Sequence, residues 1–169
     1  MKRPTVSKYS VSQKAAHWMI LALCLAQFPT ASAIQRTHAV HPFGIGPSAQ
    51  DLFLHKVHMW SGWAILLLAM ILLGQRLLRG TPELPERTPA WQRSLARAGH
   101  ACLYLGLLAL TATGTGTTYL SRAFGPIHIG LTKIGIALVL LHVAAAFWHQ
   151  FVLRDSLLSR MMPRHRTAR

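Results

Sequence analysis

The chain carries ten histidines and only four carboxylates, Asp51, Glu83, Glu86 and Asp155, in 169 residues. Most of the histidines lie within or at the start of apolar runs rather than on charged stretches. In the last long apolar run, IHIGLTKIGIALVLLHVAAAFWHQFVL, His128 and His142 are fourteen residues apart. At 100° per residue that offset returns them to nearly one face of a helix, about 21 Å apart along its axis. Gly135 falls midway on that face, and Ala145 and Ala146 lie one turn beyond His142, leaving room beside both rings. Neutral imidazole is a good metal ligand, and polar side chains inside a membrane span are rare and usually functional. A single such histidine could serve as a hydrogen-bonding group between helices. Two on one face, with partners elsewhere in the chain, point to ligation at two depths.

The partners are found in three other runs. His17 opens the first, beside Trp18. His55 and His58 open the second, three residues apart and so on one side of a helix. Gly62, one turn past His58, favours His58 as the ligand by giving clearance, and His55 stands as its alternative. His100 lies early in the third run. His149 shares the face of His142, about 10 Å further along, and is the alternative to it. His38 and His41 lie in a Gly/Pro-containing stretch and read as solvated loop side chains.

The elements that must position these rings follow from hydropathy. Half the residues are hydrophobic, and four apolar runs at about 14–34, 52–78, 97–120 and 127–153 are each long enough to cross a bilayer. A net charge of +14 would suggest nucleic acid in a soluble protein. Here the arginines flank apolar runs, so no nucleic-acid partner is expected and the surroundings are membrane lipid. The expected fold is all-α, a single integral membrane four-helix bundle using the whole chain. Pro29 could kink the first helix. Pro82, Pro85 and Pro89 interrupt the second connection, and Thr88-Pro89 is placed to start a new helix bearing Trp91, Arg93 and Arg97. The first run, ending in Ala-Ser-Ala before Ile34, has the outline of a signal peptide. Its long basic start and His17 favour a retained span.

Of the 18 lysines and arginines, all but Arg36, Lys56, Arg122 and Lys133 fall in the N-terminus, the 75–97 region and the C-terminal tail. The positive-inside rule then places both termini in the cytoplasm. Depth pairs His17 with His142 on the inner side and His58 with His128 on the outer side. Haem iron takes one imidazole on each face of the porphyrin. Zinc transport competes, but intramembrane metal pathways usually include carboxylates, and these spans contain none. The sequence has no CxxCH for covalent haem, and Cys24 and Cys102 are isolated in apolar runs.

Several segments together resemble the bacterial cytochrome b561 proteins, relatives of the cytochrome b subunits of nickel–iron hydrogenases and formate dehydrogenases. They are AHW at 16–18, HMWSG at 58–62, GHACLYLGLLAL at 99–110, HVAAAFWH at 142–149 and RDSLLSRMMPR at 154–164. The resemblance implies two non-covalent b-type haems, with axial ligands His17, His58, His128 and His142. It also implies electron transfer with the quinone pool, ubiquinone being the expected substrate. His100, with Arg97 or Arg79, could then contact a haem propionate or a quinone carbonyl. Some relatives are associated with superoxide oxidation coupled to quinone reduction. The outer face, with Arg36, Lys56, Arg122 and Lys133 against Asp51, would attract such an anion. Two rival functions stay open: a membrane anchor passing electrons to a periplasmic redox partner, and a haem-free metal transporter or structural protein.

Overall fold

A computed structural model describes residues 9–38, 46–80, 82, 88–155 and 157–162. Four long helices dominate: α1 (Val11–His38), α2 (Ala49–Arg79), α3 (Ala90–Tyr119) and α4 (Phe124–Phe147). A π-helical turn, Trp148–Val152, continues α4, and a short α5 (Leu157–Met161) follows. No strand occurs among the described residues. All four long helices are long and apolar enough to span a membrane.

The helices outrun the apolar stretches that announce them. α3 starts at Ala90 directly after Pro89, seven residues before its apolar run, because proline is tolerated at a helix start and only obstructs an interior. Pro29 does not end α1, which continues to His38. Ser48 caps α2 by accepting the Asp51 N–H, and Gly80 ends it with φ 77°, a left-handed conformation that suits glycine.

The packing is that of a lipid-facing bundle. Trp60, Leu78, Trp91 and Leu120 are among many large apolar side chains on the outside. In water that surface would be an aggregation liability, whereas in lipid it is the solvated face. Among the described residues the buried apolar positions are small or medium, Ala16, Ala33, Ile65 and Ala69. Small residues let α1 and α2 approach closely, and Gln27 of α1 adds polar glue by donating to the His58 carbonyl (3.1 Å) and Ser61 Oγ (2.7 Å) of α2. α1 packs along α2 and α3 along α4, with a lighter seam between α2 and α3. Among the described residues α1 and α4 barely meet along their backbones.

The C-terminal segment bridges that gap at one end. After the π-helical turn the chain reverses at Arg154, φ 52°. Asp155 contacts His149 Nδ1 with one carboxylate oxygen and accepts the Leu157 N–H with the other, which starts α5. α5 then meets α1, where Trp18 Nε1–H donates to the Met161 carbonyl (2.9 Å) and Lys14 Nζ to that of Met162 (3.0 Å). The start of α1 and the end of the chain therefore share one end of the bundle, called here the termini end.

Candidate haem-binding site

At the termini end His17 of α1 faces His142 of α4 across the open seam, with ring centres 6.2 Å apart. His100 of α3 joins them, its ring centre 5.4 Å from that of His142 and nearly perpendicular to it. Metal–nitrogen bonds near 2 Å put two imidazoles on opposite sides of one metal with centres roughly 6 Å apart. The His17–His142 spacing has that value, while His100 is too close to His142 to be its opposite partner. His100 Nδ1 lies 2.6 Å from the Ala96 carbonyl of its own helix, so the ring must donate there and carry its lone pair on Nε2. Among the described residues no group of three or more His, Cys, Asp or Glu is arranged around a common metal position.

At the opposite end His58 of α2 and His128 of α4 lie within electrostatic reach of each other. Each ring is fixed by a threonine whose own hydroxyl proton is already committed. Thr30 donates to the Ala26 carbonyl (2.9 Å) and stands 3.1 Å from His58 Nδ1. Thr113 donates to the Ala109 carbonyl (2.7 Å) and stands 3.2 Å from His128 Nδ1, which also reaches the Leu110 carbonyl at 3.0 Å. His128 Nδ1 faces a carbonyl and so donates, presenting Nε2 as a base; His58 does the same when the Thr30 proton is on the Ala26 carbonyl. A hydrogen bond on the second ring nitrogen is the usual way a protein orients a metal-binding histidine. Gly114 makes the contact possible: a Cβ there would lie 3.1 Å from His128 Cε1.

The remaining sequence candidates fall as follows. His55 turns away from this pair toward Thr37 (2.8 Å) and His38, whose ring centre is 5.1 Å from its own. His149 is engaged by Asp155. Gly62 lies beside Gln27 of α1, and Gly135 beside Leu110 of α3. Arg97 is exposed and donates to Ser94 Oγ, and Arg79 is exposed in the last turn of α2. Arg76 lies within electrostatic range of His100, Tyr104 and Tyr9. Tyr9, just before α1, has its phenol pKa raised by burial, with Arg76 and Arg160 pulling the other way. His41 lies outside the described residues.

Sequence reasoning missed Thr30, Thr113, Arg76 and Tyr104. The threonines carried a signal, since a hydroxyl in an apolar span bonds back one turn and keeps an acceptor lone pair for a neighbour. Arg76 and Tyr104 carried none, because their meeting depends on how α2 and α3 pack.

The donor set fits haem b: imidazoles from different helices at two levels, with Nε2 free where the tautomer is fixed. Among the described residues, Gln75 Oε1 and Gln150 Oε1 are buried with no hydrogen-bond partner. Comparison with known proteins agrees. The family model for prokaryotic cytochrome b561 matches residues 8–164. Cytochrome b562 of Cereibacter sphaeroides is 32% identical, the alignment covering 91% of this chain and 94% of the relative. The probable superoxide oxidase CybB of Yersinia pestis is 29% identical, covering 94% and 98%. Cytochrome b561 homolog 1 of Escherichia coli is 24% identical, covering 95% and 100%. Matched along nearly its whole length, the chain belongs to the prokaryotic cytochrome b561 family, haem-b membrane proteins of electron transport.

Proposed function

We propose that this protein is a dihaem b-type cytochrome of the bacterial inner membrane, carrying electrons between an outer donor and ubiquinone near the termini end. The observation that carries the reading is the presence of two imidazole pairs at two levels, one of them at a 6.2 Å ring spacing. His17 and His142 would hold one haem and His58 and His128 the other. Haem supplies one-electron chemistry when bound. The chain's own part is to orient the rings through Thr30 and Thr113, exclude water with apolar helices, and divide the crossing into shorter steps. Both termini would face the cytoplasm, where the arginine-rich segments lie.

The quinone would bind beside His100, with Arg76 and Tyr104 offering donors to a carbonyl oxygen or a haem propionate. Arg79 and Arg97 stand one turn further out, placed for lipid headgroups. A reduced-minus-oxidised spectrum with a haem-to-protein ratio tests the core of the reading. Two low-spin, acid-acetone-extractable haems per chain are expected; one or none would overturn it.

Superoxide is the donor we favour. Beyond the relative named a probable superoxide oxidase, the end opposite the termini carries four cations against one carboxylate, with Arg36 held by Asp51 at 2.7 Å. Two superoxide anions would each lose one electron to become oxygen, and one quinone would take both electrons and two protons to become quinol. Proteoliposomes containing ubiquinone should then form quinol when superoxide is generated outside. A donor that is a soluble redox protein would leave that assay blank and reduce the haems directly.

A further inference from the structure

We propose that His38 and His55 form a separate, non-haem site for a zinc-class divalent ion at the end of the bundle opposite the termini. His38 closes α1 and His55 stands in the second turn of α2. Their ring centres are 5.1 Å apart with planes at 59°. Two imidazoles sharing a tetrahedral metal have centres roughly 5 Å apart, against roughly 6 Å for two on opposite sides of a haem iron. The pair thus has the spacing of one geometry and His17–His142 that of the other.

The orientation of His55 is fixed as a ligand's would be. Thr37 donates its hydroxyl to the Ile34 carbonyl (2.9 Å) and so accepts from His55 Nδ1–H (2.8 Å). Nε2 is left as the base, held by a second-shell partner. His38 is exposed, so water has access to complete the coordination shell. Thr37 lies seven residues beyond Thr30 on α1, about 10 Å further along the axis, which separates this pair from His58. Asp51, one turn before His55, sits against Arg36 at 2.7 Å and offsets that guanidinium beside the approach. Two neutral imidazoles with open positions suit zinc, copper(II) or nickel(II) better than magnesium or calcium, which prefer oxygen.

The test uses the haem-loaded protein in detergent, purified through a tag without histidines. Zn2+ is titrated in competition with a chromophoric chelator near pH 7.5. Wild type should bind zinc at this site, and His38→Ala and His55→Ala should each weaken it at least about tenfold. His149→Ala should leave it unchanged. Both site variants should keep the wild-type haem content and spectrum, which also reports that they fold. Zinc affinity unaffected by either substitution would overturn the proposal. So would loss of a haem in His55→Ala, which would assign that ring to the haem site.

Discussion

At the level of His58 and His128, each ring is held through Nδ1 by a threonine from the helix it faces, Thr30 on α1 and Thr113 on α3. At the level of His17 and His142, neither ring has a hydrogen-bond partner among the described residues, and a third imidazole, His100, lies against His142 instead. The first level is oriented by hydrogen bonds and the second by packing and by the α5 strap through Trp18. Hydrogen-bonded orientation is local and can be removed one hydroxyl at a time. Packing-based orientation is distributed, and no single polar contact carries it.

The largest effect expected is complete loss of one level. His58→Ala or His128→Ala should remove about half the haem while the other level keeps its low-spin spectrum, and His17→Ala or His142→Ala should do the reverse. The separation of about 21 Å between levels prevents one porphyrin from drawing ligands from both. Simultaneous loss of both haems in every variant would collapse the distinction between levels. His149→Ala belongs in the same series: loss of a haem there, with His142→Ala unaffected, would move the ligand to His149.

Next come the threonines. Thr30→Val and Thr113→Val keep shape and remove the acceptor, and should weaken haem retention about 10- to 100-fold at their own level. Transfer to an apo-haem scavenger, followed spectrally, measures this. No single hydroxyl removal should do the same to His17–His142.

Gly114→Ala should cost about 1–3 kcal/mol and shift the EPR signal of the same level, because the new methyl meets the His128 ring. Gly116→Ala is its control. A Cβ there lies 3.0 Å from Phe124, so thermal stability should fall without a change in the haem signal. Arg76→Gln should raise the KM for quinone several-fold with both haems retained, whereas Arg97→Gln should not. Smallest is Asp155→Asn, which keeps a hydrogen-bonding side chain beside His149 and the Leu157 N–H and should lower stability by about 1 kcal/mol.

Much of the fold was legible because membrane spans are written in hydropathy. A bilayer requires long apolar helices with every backbone group paired internally, and no alternative fold meets that for these four runs. Helix periodicity also aligned His128 with His142, since both belong to one rigid helix and their offset is fixed by its pitch. The cation asymmetry and the absence of carboxylates from the spans were likewise properties of composition.

What the tertiary structure decided is everything that depends on two helices meeting. Spacing along α4 could not show that His142 has two imidazole neighbours, His17 and His100, from different helices. Nor could it show that the Gly/Thr-rich segment of α3 supplies an acceptor and a notch for His128. His38 read as a loop residue because α1 extends past its apolar run, and only that extension brings it to His55. Arg76 comes within electrostatic range of His100 for the same reason. Residues three apart on a helix point about 60° away from each other, and which of them meets a neighbour is set by packing angle, a quantity no single helix contains.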